Sequence, residues 1–229
     1  MRTSRLALLL AVLLSASLVQ ATDEATPAAP APGTVALPAP RTDGNVSIEK
    51  ALKERRALRD PAPTPLTVAE VGQLCWAAQR VTDANGHRTA PSAHAAYPLT
   101  LYAIAGAVEG LAPGFYRYEP GAHALRLQSA GDRRAEFVKK AASQSWVAHA
   151  PVVFVISGDP GKMAKMGERG TQFMDIEVGL AAQNLLLQAT ALGLGGNFVG
   201  GFRPPAARAA LGLAAPEEVL AVLPVGHRP

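Results

Sequence analysis

Three stretches of this chain combine residue types and spacings suited to holding a flat, charged ligand. The first is Arg55-Arg56-Ala57-Leu58-Arg59. On a helix running over 47–57, Arg55 and Arg59 stand at i and i+4 on one face, where two guanidinium groups converge on a phosphate or carboxylate with bidentate geometry. Taken alone, the same residues also make a solvated basic helix end, where the helix dipole favours cations. The second stretch runs from Arg88 through Pro91-Ser92-Ala93-His94 to Tyr97-Pro98. Its small side chains let a flat ring lie against the backbone while Ser92 and His94 hydrogen-bond the ring's polar edge, although an ordinary strand-entry loop has the same composition. The third is Gly193-Leu194-Gly195-Gly196-Asn197-Phe198-Val199-Gly200-Gly201-Phe202. Glycines recur there where backbone amides approach a ligand without interference from a Cβ. The spacing is not a dinucleotide fingerprint, and a helix rather than a strand comes before it.

Other chemistries find little support. The histidines (His87, His94, His123, His149 and His227) show no ligand-type spacing, so no metal site is expected. No Gly-x-Ser-x-Gly elbow exists. The one cysteine, Cys75, sits in an apolar helical stretch beside Trp76 and reads as a core thiol. The net charge of +4 comes from scattered basic residues with only four tyrosines, which is not the basic stripe with stacking aromatics that nucleic-acid binding uses.

The elements that must position these residues follow from local patterns. Arg2 and Arg5 precede an apolar run over 6–14 and small residues up to Ala21, so residues 1–21 read as a signal peptide too short to span a bilayer. The expected product is exported, periplasmic or secreted, with no stable membrane insertion after cleavage. Residues 22–45 are Ala/Pro-rich and read as a disordered linker, leaving 46–229 as one domain. Ser47 caps the first helix, and Thr67 with Glu70 forms a capping box for a second one through Gln79. Residues 99–105 read as a strand, 115–118 and 124–128 as a hairpin, 132–142 as a helix, and the apolar run 151–157 as a strand buried on both faces. A helix over 175–192, apolar or small almost all round, ends at Gly193 and is expected to be buried in the core or against a partner. A helix over 205–211 and a strand over 219–225 complete an α+β order without regular βαβ alternation.

With these pieces in this order, the chain resembles the FMN-dependent nitroreductase superfamily, especially the short branch that includes the azoline oxidases. The resemblance covers residues 47–226. It is carried by Arg-Arg-x-x-Arg at 55–59, Leu74-Cys75-Trp76-Ala77-Ala78-Gln79, Pro91-Ser92-Ala93, Gly114-Phe115-Tyr116-Arg117-Tyr118 and Ala150-Pro151-Val152-Val153. Glu177-Val178-Gly179 with Gln183-Asn184, Gly193-Leu194-Gly195 and Val225-Gly226 complete it.

It implies a mixed sheet flanked by helices and an intertwined homodimer with FMN at the interface. Arg55, Arg56 and Arg59 would hold the phosphate and the pyrimidine side of the ring, with Ala57 where many relatives have serine. Pro91, Ser92, Ala93 and His94 would lie along the isoalloxazine. Val199, Gly200 and Gly201 would present a backbone amide to flavin N5, and Gln144 would approach the flavin from the second subunit. Arg228 would stand in for a C-terminal Lys/Arg pair. The implied activity is electron or hydride transfer through FMN between a small-molecule donor and a small, aromatic acceptor. Residues 167–173 lack the tyrosine associated with azoline oxidases. The alternatives are an FMN-dependent dehydrogenase of a peptide or metabolite, and a flavin-binding protein without turnover.

Overall fold

The computed structural model describes residues 33–229, and the signal peptide expected over 1–21 lies outside them. The buried strand β7 (Val152–Gly158) is the middle of the fold. Its Val152, Phe154 and Ile156 face one core, and Val153 and Val155 face the other, as a strand covered on both sides requires. Around it the sheet takes the order β1 (Thr34–Ala36), β6 (Ala124–Ala130), β5 (Gly114–Glu119), β3 (Leu99–Ala105), β7, β9 (Glu218–His227) and β8 (Leu194–Gly196). Every ladder in this sheet is antiparallel. Parallel pairing is confined to a bridge between Ala57 and Gly196 at the β8 edge and to a separate pair, β2 (Leu66–Thr67) with β4 (Val108–Glu109).

Helices α2 (Val68–Gln79) and α4 (Arg169–Ala191) cover the first face. Helices α3 (Arg134–Ala141) and α5 (Pro204–Leu211) cover the second. The arrangement is the α+β sheet flanked by helices that the sequence implies. The capping box of α2 is present in full: Glu70 N donates to Thr67 Oγ1 at 3.2 Å, and Thr67 N donates to the Glu70 carboxylate at 2.7 Å. Cys75 is fully buried, which pushes its thiol pKa well above the ordinary range and leaves it inert in the core.

Four expectations are corrected. Helix α1 (Ile48–Glu54) is capped by Ser47 as expected but ends before the arginines, with Arg55 already extended at ψ 120°. Leu58 N donates instead to Gly196 O at 3.0 Å, so the chain leaves the helix to join the sheet edge. Helix α4 begins at Arg169, six residues ahead of the expected start, without a side-chain cap to announce it. Nor is α4 buried all round: Ile176 and Leu180 are 53% and 40% exposed.

The fourth correction concerns residues 22–45. From Gly33 onward this stretch is ordered: Thr34, Val35 and Ala36 pair with Arg126, Leu125 and Ala124, and Leu37 is buried. Beyond the strand, Gln73 clamps Arg41 through its backbone, accepting from Arg41 N at 2.9 Å and donating to Arg41 O at 3.0 Å. His123 Nε2 donates to Pro38 O at 3.0 Å, so its Nδ1 accepts from the Tyr118 hydroxyl at 2.8 Å.

Burial holds His123 below its ordinary pKa of 6.5. The unfolded chain therefore binds the proton more readily, and the stability this neutral ring contributes is present above pH 6.5 and lost as pH falls through the folded value. The urea midpoint of the wild-type protein should fall on acidification across that window, and His123→Phe should flatten this part of the pH dependence.

Candidate functional site

The sheet edge at β8 is built for close approach. A Cβ on Gly195 would meet Leu58 side-chain atoms at 2.8 and 3.0 Å, so the arginine segment lies against β8 only because residue 195 is glycine. The Ala57–Gly196 bridge is parallel and lies at the end of β8 that leads into Asn197. Arg228 reaches the opposite end of β8, its Nε donating to Leu194 O at 3.0 Å. Arg59 lies on the wall of a cleft of about 230 Å³ with Gln144, Trp146, Asn197, Phe198, Val199, Gly200 and Gly201. The helix-face pairing of Arg55 with Arg59 is thus lost, because Arg55 ends α1 while Arg59 lies beyond the bridge to β8, in the cleft. Arg56 is occupied locally, donating to Lys53 O and Arg55 O at 2.8 Å each.

The cleft offers a definite pattern of donors and acceptors. Val199 is fixed to Val222 by backbone hydrogen bonds in both directions, at 2.9 and 3.3 Å. The following amides of Gly200 and Gly201 have no hydrogen-bond partner among the described residues. Arg59 makes no ion pair among them either. Gln144 contributes the reverse polarity: its Oε1 is buried and unpartnered. Gln144 stands against Gly201 of its own chain, where a Cβ would come within 2.6 Å of its Nε2. Gln144 and the glycine segment thus belong to one cleft of the same chain.

The Pro-Ser loop is held elsewhere and under strain. Ser92 Oγ accepts from Tyr97 N at 2.8 Å, Glu177 Oε1 accepts from Ala93 N at 2.8 Å, and Asn184 Nδ2 donates to Thr89 O at 3.1 Å. These anchors impose left-handed backbone on three residues that are not glycine: His94 (φ 51°), Ala95 (φ 52°) and Tyr97 (φ 45°). Such outliers persist where the surroundings over-determine them, and they cluster at binding sites. The Arg88 guanidinium lies 4.5 Å from the Tyr97 ring centroid and donates to Gln79 Oε1 at 2.9 Å, which closes the loop's base.

Glu177 is named from the sequence only as part of the Glu177-Val178-Gly179 segment, without a role, and Trp146 not at all. Glu177 carries a signal, since a lone acid buried in an apolar helix needs a partner; Trp146 carries none. Glu177→Ala leaves Ala93 N–H without its acceptor and should cost about 1–3 kcal/mol in urea unfolding, with Glu177→Gln costing less.

The loop and the cleft do not meet within one chain. Ala93 and Ala96 pack on the first core, under α2 and α4, whereas Val199, Trp146 and Phe202 pack on the second, under α3 and α5. The sheet lies between them. The first face also carries the outward apolar side chains Ile176 and Leu180 of α4 and Ile48 and Leu52 of α1, which packs against α4. A hollow of about 370 Å³ between α1, α2 and α4, lined largely by apolar groups such as Ile48, Trp76 and Leu187, is larger than the cleft. It lacks the cleft's arginine and free glycine amides, so the chemistry points to the cleft.

An antiparallel sheet covered on both faces, with a cleft at its edge lined by glycines and one arginine, is an α+β scaffold with a candidate ligand site at that edge. The sequence profile of the nitroreductase family matches residues 52–227. A nitroreductase-family protein of Methanocaldococcus jannaschii is 35% identical over 184 residues, spanning 80% of this chain and 92% of that protein. Among solved structures, a nitroreductase-type protein of Ralstonia eutropha matches with a TM-score of 0.77 at 28% identity, over 86% of this chain and 90% of that one. The NADPH:FMN oxidoreductase of Vibrio harveyi, solved with NAD+, shares the fold with a TM-score of 0.58 at 20% identity, over 79% of this chain and 68% of that one. The chain belongs to the nitroreductase family, a family of oxidoreductase enzymes.

Proposed function

We propose that this protein is an FMN-dependent oxidoreductase whose flavin site is completed by a second copy of the chain, and that it passes electrons or hydride from a small-molecule donor to a small, aromatic acceptor. One observation carries the reading: the two halves of the site, the edge cleft and the Pro91–His94 loop, lie on opposite faces of the sheet in one protomer. A homodimer joined through the outward apolar side chains of α1 and α4 brings the loop of one copy toward the cleft of the other.

The residues fit the cofactor. The free amides of Gly200 and Gly201 and the Arg59 guanidinium suit the acceptor-rich edge of an isoalloxazine, and the Gln144 carboxamide, with no partner of its own, offers the ring a further polar group. Arg55 and Arg228 would take the phosphate. When bound, FMN supplies the two-electron chemistry. The protein's share is positioning and charge. Arg59 beside the pyrimidine side stabilises negative charge there, the glycines admit the ring to backbone contact, and the pinned loop shields it from water.

The donor is a reductant of the hydride-transferring class, and the flat cleft walled by Trp146 and Phe198 favours a planar acceptor. The test is the visible spectrum of the protein from Thr22 on, mixed with FMN and desalted. Retained flavin bands on a dimer by light scattering support the proposal; a folded protein that never retains FMN defeats it. Export is proposed from the first 21 residues. The exported protein should begin near Thr22, and an intact Met1 would overturn that reading.

A further inference from the structure

Among the cleft residues, Gln144 combines an unfixed hydrogen-bonding sense with a buried, unpartnered oxygen. Its backbone is tied down: its carbonyl accepts from Val147 N at 3.2 Å at the start of the short helical turn Ser145–His149. Its side chain is not. Oε1 is buried without a partner, Nε2 is the atom nearest Gly201, and no hydrogen bond among the described residues holds the carboxamide in either orientation. An unpaired buried carbonyl oxygen is costly, so it persists where a ligand supplies the missing partner. A carboxamide is also ambivalent, because a half-turn of its last torsion exchanges two N–H donors for an acceptor oxygen.

An oxidised isoalloxazine presents a bare acceptor nitrogen at the edge where its reduced form carries an N–H. Gly200 and Gly201 present only donors to that edge. They suit the oxidised ring and cannot accept from the reduced one.

We propose that Gln144 is a redox-responsive positioning residue: its Nε2 donates to the oxidised ring, and after two electrons and a proton have been added its carboxamide turns so that Oε1 accepts from the new ring N–H. The proposal rests on the FMN reading above and adds to it a direction. Because the Gly200 and Gly201 amides already serve the oxidised nitrogen and only Gln144 accepts from the reduced N–H, Gln144 favours the reduced cofactor and so raises its reduction potential. Arg59 acts on the same quantity through charge, independently of the state of the ring nitrogen.

The test is a pair of measurements on the full FMN-loaded dimer: the dissociation constant of oxidised FMN, and the midpoint potential during reduction by dithionite with a reference dye. Gln144→Leu, which keeps the bulk and removes both hydrogen-bonding senses, should weaken reduced FMN at least tenfold more than oxidised FMN, which lowers the midpoint by about 30 mV for a two-electron couple. Gln144→Met serves as a second variant of similar length should the leucine variant fold poorly. An unchanged midpoint, with both affinities falling together, would make Gln144 an ordinary binding residue and overturn the proposal while leaving the FMN reading intact. A wild-type protein that binds no FMN overturns both.

Discussion

Protein carrying both Arg55→Ala and Arg59→Ala should leave the desalting column folded and colourless. Neither side chain forms an ion pair or hydrogen bond with the described residues, and neither is buried, so alanine there leaves the packing intact. Each guanidinium is available for a charge-assisted hydrogen bond to the ligand, of the kind worth about 1.5–3 kcal/mol. Losing both raises the dissociation constant for FMN by roughly a hundredfold to ten-thousandfold. Arg56→Ala makes the control. That guanidinium is already spent on Lys53 O and Arg55 O, so its removal should change flavin affinity far less than either neighbour's. Titration of flavin fluorescence checks both results, and an Arg56 variant as weak as the double variant would move the phosphate site one residue along the chain.

Leu180→Asp should convert the protein into a folded monomer that has lost its flavin. The side chain projects from α4 outside both core clusters, so a carboxylate there is harmless to the isolated fold. In a symmetric dimer the substitution appears twice, and unpaired charge forced into an apolar interface costs several kcal/mol. Dissociation should weaken the dimer by about a thousandfold or more, visible as a halved mass in light scattering. Flavin retention should fail at the same time, because the Pro-Ser loop no longer reaches the cleft of a second copy. A monomeric variant that still holds FMN as tightly as the wild type would sink the two-copy site.

Much of this architecture is legible in the sequence, for identifiable reasons. The capping box at Thr67 and Glu70 and the apolar run before Gly158 are local signals whose causes sit within a few residues, and they place α2 and β7 to within a residue. The glycine segment was likewise legible as a place of close backbone approach. What failed depended on distant partners. Helix propensity favours carrying α1 through Ala57, but the tertiary bond from Leu58 to Gly196 ends it earlier and dissolves the expected i, i+4 arginine pair. Thr34-Val35-Ala36 is too short and too close to proline to declare itself as a strand, and only the exposed edge of β6 makes it one. The sequence names the parts of the site without revealing that the sheet divides them, since which face a loop packs against is decided by strand register.

The order of the sheet also determines how the molecule can be held. Strand β1 occupies one rim and β8 the other, with five strands between them. Six spacings of about 4.8 Å put the two rims roughly 29 Å apart along the sheet. A linker, tag or solid support joined ahead of Gly33 therefore grips the rim remote from Arg59 and the glycine amides. A fusion at Pro229 emerges one residue after Arg228, beside the β8 edge that carries the proposed cleft. The protein has a handle on one side and its working surface on the other, so immobilised enzyme attached through its N-terminal side should turn over freely where a C-terminal attachment obstructs it.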